Sequence, residues 1–298
     1  MTIRINPQML PDLLASLQAS QQNIQNGVQQ VSTGRRVNRP SDDPAAVAAL
    51  VNNNAQFSQD AQFQVNLSDL QARYQAADSV MNSAVQLMTT AISLGAEGAS
   101  GNLTAANRQA IAAQVAGLQQ QMLSLANTSY QGAYIFAGTK VTAAPFSQDS
   151  SAPSGVRYNG NSAVTSVQIS EGQSIQTNVA GDQIFANASG NVFAALNDLV
   201  NSLNAGAGID AANTEVQNAF HQLNTQRVFY GDALSQVQSK ENFLSQDKIN
   251  LSQQQSTLVG ADLAQALTDL SQAQATQQAA LTATARVLNL PTLLNYIK

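Results

Sequence analysis

The chain has no cysteine, no tryptophan and a single histidine in 298 residues. Without thiols there can be no disulfides, no thiolate metal sites and no cysteine nucleophile. Charge is scarce too. Asp, Glu, Lys and Arg make up 10%, against about 25% in an average soluble protein. The net charge is −5 and no basic cluster appears, which argues against nucleic acid, because neutralising phosphates takes many Lys or Arg. No run approaches the roughly 20 apolar residues of a membrane span, so no membrane partner is expected. The opening MTIRINPQMLPDLLASL has no basic stretch followed by an apolar one, so it does not read as a secretory signal peptide.

Catalytic patterns are missing as well. No glycine-rich phosphate loop, G-x-S-x-G elbow or H-E-x-x-H occurs. His221, beside Phe220 in a helical run, reads as a surface or interface residue rather than a base. Asp262 and Asp269 share a helix face, but no His or Cys lies near them in sequence to complete a metal set. The expectation is no enzyme, no cofactor and no metal.

What replaces charge is Gln, Asn, Ser and Thr. Such a neutral surface depends little on salt and suits a subunit packed among copies of itself. The apolar residues fall on heptads. Near the start, Leu10, Leu14, Leu17, Gln21, Ile24, Val28 and Val31 recur at steps of four and three. Near the end, Leu263, Leu267, Leu270, Leu281 and Leu288 do the same, with Gln274, Gln277 and Thr284 filling the stripe. The two stripes are similar in length and suit each other or neighbouring copies. Their apolar members are the expected subunit-contact residues.

A first helix is expected over residues 7–31, closed by Gly34 in a left-handed conformation. The run RRVNRPSDDPAA then places Arg35, Arg36 and Arg39 against Asp42 and Asp43 in a charged joint. It reads either as a solvated connector with capping acids or as a subunit-contact loop. Asp43 before Pro44 is a helix start. A helix over 44–94 carries Phe63, Leu67, Leu70, Tyr74, Met81 and Met88, and Gly95, Gly98 and Gly101 are expected to break the chain. A third helix begins near Thr104. Residues 139–190, with Pro145, Pro153 and short alternating runs, read as a β domain. Helical periodicity returns at Val192, and a long helix runs from about 210 to 258. The two long helices would each span roughly 75 Å and the two terminal ones roughly 40 Å, which fits a chain that goes out and comes back. The heptad phase slips by one residue next to Gly260, the expected hinge.

The fold class is therefore mainly α: a long antiparallel helical bundle or coiled coil made by both chain ends, with a small β-rich domain inserted mid-chain. The expected domains are 1–40 with 259–298 (terminal coiled coil), 41–138 with 191–258 (helical middle) and 139–190 (outer β-rich).

Several stretches resemble one family. STGRRVNRPSDDPAA is similar to the loop after the first helix of flagellins and their junction relatives. ANTSYQGAYIFAGTK, YNGNSAVTSVQISEGQSIQTNVAGDQIF, Arg227 with Gly231, DLAQA and the closing LPTLLNYI resemble the hook–filament junction family, hook-associated protein 3, within the flagellin superfamily. The likeness covers essentially the whole chain, although Arg39-Pro40-Ser41 adds a positive charge to the joint. It implies an extracellular, non-catalytic structural subunit of the bacterial flagellum at the hook–filament junction, exported through the flagellar type III apparatus. It further implies a ring of copies, the other hook-associated junction protein on the hook side and flagellin on the filament side. A cytoplasmic export chaperone on the C-terminal helix is implied as well. The alternative is a short flagellin forming the filament itself. Because Gln21, Gln274, Gln277 and Thr284 interrupt the terminal stripes, those helices are expected to order fully only on assembly.

Overall fold

The structure, a computed structural model, describes residues 9–288. The side chains of Leu10 and Leu288, and the closing LPTLLNYI run, lie outside the described residues. The helices are α1 (Met9–Thr33), α2 (Pro44–Gly98), α3 (Ala105–Ala126), α4 (Gly181–Phe185), α5 (Val192–Ala205), α6 (Ile209–Val259) and α7 (Leu263–Leu288). Between α3 and α5 lie four two-stranded antiparallel ladders. They are β1–β2 (Ser129–Tyr130, Ala133–Tyr134), β3–β4 (Phe146–Gln148, Val156–Tyr158), β5–β6 (Ser166–Ser170, Gln173–Gln176) and β7–β8 (Ala186–Asn187, Gly190–Asn191). The chain divides into two compact units: a terminal unit, 1–58 with 247–298, and a middle unit, 59–246.

Helix starts follow their side-chain caps. Asp43 accepts from the Ala46 N–H, Thr104 from Asn107, Asn191 from Ala194 and Asp262 from Ala264 and Gln265. The middle unit buries large side chains on heptad steps. Leu67, Leu70, Tyr74, Met81 and Met88 of α2 share one core with Leu223, Tyr230, Val237 and Leu244 of α6. Tyr74 meets the rings of Phe229 and Tyr230 edge-on at 6.3 and 6.1 Å. Arg227 pairs with Asp78 at 2.9 Å, and that carboxylate raises its pKa.

Two sequence expectations change here. Gly95 does not break α2, which runs through it and ends at Gly98. Both lie buried where other helices come close: a Cβ on Gly95 would strike Asn213, and one on Gly98 would strike Leu203. At both positions the lack of a side chain permits close approach.

The strand-containing region 139–190 also differs from an independent domain. Phe146 of β3 stacks against Phe185 of α4 and Phe193 of α5 at 5.8 and 5.3 Å, and Phe136 lies 5.3 Å from Phe185. Its apolar residues belong to the same cluster as α3 and α5. Two-stranded ladders cannot hold a core of their own, so they borrow one.

Candidate assembly surface

The terminal unit is organised around the charged joint. After α1, Gly34 takes a left-handed φ of 66° and donates to the Gln30 carbonyl at 2.9 Å. Residues 34–36 then run antiparallel to residues 259–261. Arg35 bridges to Gly260, the Arg36 N–H donates to the Val259 carbonyl at 2.8 Å, and the Ala261 N–H donates to Gly34 at 3.0 Å. The guanidinium of Arg36 donates to Asp43 at 3.0 Å and to the Leu258 carbonyl at 3.1 Å. Asp42 accepts the backbone N–H groups of Asn38 and Arg39 at 3.0 and 2.8 Å. Beneath lies a small core of Val37, Ala46 and Val259.

Of the five charges in the joint, then, only Arg36 and Asp43 make an ion pair among the described residues, while Arg35 and Arg39 are exposed. The Ala46 N–H, followed by the Arg36 guanidinium, holds the Asp43 carboxyl below its ordinary range. Gly260 falls at the break between α6 and α7. Its N–H donates to Ser256 at 2.8 Å, and a Cβ there would run into the Ser256 carbonyl oxygen. Deeper in the unit, the buried Asn53 amide donates to the Leu251 carbonyl at 3.0 Å.

From this joint α1 and α7 run back as an antiparallel pair. The seam between them differs from the leucine stripes. On α1 it comprises Leu17, Ser20, Ile24, Gly27 and Val31, and on α7 it comprises Ala266, Leu270, Ala273, Gln277, Ala280 and Thr284. Ser20 donates to the Ala273 carbonyl at 3.4 Å, and a Cβ on Gly27 would lie 3.3 Å from Leu270. Small residues let the two helices approach closely, and larger ones would hold them apart.

Five of the nine expected contact residues with described side chains therefore point elsewhere. Leu17, Ile24, Val31 and Leu270 are half-buried in the seam. Leu14 (58% exposed), Val28 (49%), Leu263 (48%), Leu267 (51%) and Leu281 (53%) face outward. The inner residues Ser20, Gly27, Ala266, Ala273 and Ala280 were not among the expected ones. Their signal was a seven-residue repeat of small side chains, which an apolar-stripe search passes over. On another side of the pair is a groove of about 610 Å³ of mixed character, with Ser16, Asn23, Asn26 and Gln272 beside Ala19 and Leu270 in its lining. No cluster of metal-ligating residues occurs among the described residues.

Residues 6–141 match the model of the bacterial flagellin N-terminal helical region, and residues 213–297 match that of the C-terminal helical region. The chain is 30% identical to flagellar hook-associated protein 3 of Escherichia coli, covering 78% of this chain and 80% of that one. It is 28% identical to the protein of the same name from Salmonella typhimurium, over 93% and 94% of the two chains. Its fold is similar to FlgL from Xanthomonas campestris, with a TM-score of 0.59 at 16% identity, over 68% of this chain and 98% of that one. With both flagellin helical regions present and relatives matched over most of their length, the chain belongs to the flagellar hook-associated protein 3 family.

Proposed function

We propose that this chain is a non-catalytic structural subunit of the bacterial flagellum that forms the junction between hook and filament and presents an assembly surface for flagellin. The observation that carries the reading is the pair α1–α7. It closes on itself through small residues and keeps Leu14, Val28, Leu267 and Leu281 in water. Exposing large apolar side chains together costs solvation free energy, which neighbouring copies in a ring recover on assembly. The family relationship supports the same assignment.

In this reading residues 1–40 and 259–298 are the assembling part and 139–190 the outward part. Gly260, within the terminal unit, marks the hinge between α6 and α7. Arg35 and Arg39, exposed and charged in a nearly uncharged protein, meet neighbouring subunits. The remaining partners are the other hook-associated protein on the hook side, flagellin on the filament side and an export chaperone on the C-terminal helix. The chain is extracellular in its working state, having passed through the flagellar export apparatus.

The test is complementation of a strain lacking the chain. Leu267→Asp with Leu281→Asp leaves the middle unit folded, as judged by circular dichroism, but blocks filament attachment and releases flagellin into the medium. Normal attachment by this variant would refute the assignment of the surface.

A further inference from the structure

The sequence holds two Asn-Gly steps, Asn26-Gly27 and Asn159-Gly160. A glycine has no side chain to shield its backbone nitrogen, so that nitrogen can approach the side-chain amide carbon of the preceding asparagine. The fold treats the two steps differently. Gly27 lies inside α1, where its N–H is committed to the carbonyl of Asn23 in the helix ladder. Gly160 follows β4 in a loop, and its N–H has no hydrogen-bond partner among the described residues. Asn159 is exposed, and its own N–H is held by the Pro145 carbonyl at 2.7 Å.

Two neighbours complete the arrangement at 159. Lys140 Nζ donates to the Asn159 carbonyl oxygen at 3.4 Å. That oxygen belongs to the same peptide group as the Gly160 nitrogen. When the nitrogen loses its proton, resonance places negative charge on the oxygen, where the ammonium stabilises it. Ser147 Oγ lies 2.9 Å from Asn159 Nδ2, the nitrogen that a reaction at the side chain would expel. The glycine is held in place by packing, since a Cβ at 160 would strike the Tyr158 ring. The Tyr158 hydroxyl is itself anchored within reach of the Phe136 and Asn161 carbonyls, at 3.1 and 3.0 Å.

We propose that Asn159 is a self-modification site, converted by its own backbone to aspartate and isoaspartate. Hydroxide takes the Gly160 proton, and the nitrogen attacks Cγ of Asn159 to close a succinimide ring. The Cγ–Nδ2 bond breaks, and the nitrogen leaves as ammonia, taking a proton from water by way of the Ser147 hydroxyl. Water then opens the ring. Attack at Cγ gives aspartate, and attack at the backbone carbonyl gives isoaspartate, which lengthens the main chain by a methylene. Either product adds a negative charge beside Lys140. Ammonia is lost to solvent, so the modified fraction grows with the age of each molecule.

The test uses the full chain, freshly purified and held at physiological temperature in mildly alkaline buffer. Peptides covering the two steps are compared by the mass gained when OH replaces NH2, and chromatography separates aspartate from isoaspartate. The step at 159 should convert at least about tenfold faster than the step at 26, where a helix turn must open first. In urea the two rates should converge. Lys140→Gln should slow the step at 159 about two- to fivefold, the scale of one solvent-screened charge, and Lys140→Arg should restore it. Circular dichroism checks that both variants are folded. Equal rates at the two steps in the folded chain would overturn the inference. So would an unchanged rate in Lys140→Gln, or a difference between the steps that persists in urea. None of these results bears on the junction reading.

Discussion

The middle and terminal units use one sequence device, the heptad, toward opposite ends. In the middle unit the heptad positions carry Leu67, Tyr74, Met81, Leu223 and Tyr230, and every one is buried within the same chain. In the terminal unit the seam mixes small residues, buried Ser20 and Ala266 with half-buried Gly27, Ala273 and Ala280, with half-buried Leu17, Ile24, Val31 and Leu270. Leu14, Val28, Leu267 and Leu281 lie outside. The middle unit invests its apolar area in its own stability. The terminal unit holds back apolar area for a contact it cannot make alone. A chain built to assemble at one place benefits from that division, because folding of the first unit does not depend on docking of the second.

Substitutions can break this contrast. The largest effect belongs in the middle core: Leu223→Ala, at a fully buried position, should cost about 2–5 kcal/mol, read as a lowered denaturation midpoint. Gly27→Leu should come next. A side chain there meets Leu270 across the seam, and overpacking of about 1–3 kcal/mol should part α1 from α7 while the middle unit melts as before. Hydrogen exchange along 14–31 and 266–284 reads the separation.

Removing the ion pair with Arg227→Ala should cost under about 1 kcal/mol, because both partners are about a third exposed and solvent screens them. Leu267→Ala should change monomer stability by less than about 0.5 kcal/mol while reducing incorporation into flagella. If Leu267→Ala destabilised the monomer as much as Leu223→Ala, the contrast between the units would collapse.

The smallest effect is one of pH. Asp43 in the folded joint has a pKa below its ordinary value, set by the Ala46 N–H and then by Arg36. Its contribution is therefore fully present above the unfolded carboxylate pKa of about 3.9 and is lost as pH falls through the folded value. Amide exchange at Arg36 and Ala261 should accelerate below about pH 4 in wild type, ahead of the middle core. Asp43→Asn should remove that acid-dependent step.

Much of this architecture is legible in the residues. Capping pairs such as Asp43-Pro44, the heptads of the long helices, the left-handed Gly34 and the break at Gly260 are local features, and local chemistry marks them. Gly95 misled because a glycine chosen for close packing and one chosen for a turn look alike in sequence. Its role depends on Asn213, more than a hundred residues away. Phe146, Phe185 and Phe193 gave no sign that residues 139–190 would share the core of α3 and α5, since that core is assembled from distant segments.

By itself, then, the sequence determined that both ends carry amphipathic helices of matching length and that a charged loop follows the first. Which side of each helix turns inward was decided only by tertiary structure. The broad stripe of α1 offers two seams one residue apart, small at 20 and 27 and large at 14 and 28, and hydrophobicity favours the large one. The backbone bridge between Arg35 and Gly260 fixes the register of the pair, and close approach of the helices fits the small seam. Leu14, Val28, Leu267 and Leu281 are left outside because, one position away from them, Ser20, Gly27, Ala266, Ala273 and Ala280 face the partner helix.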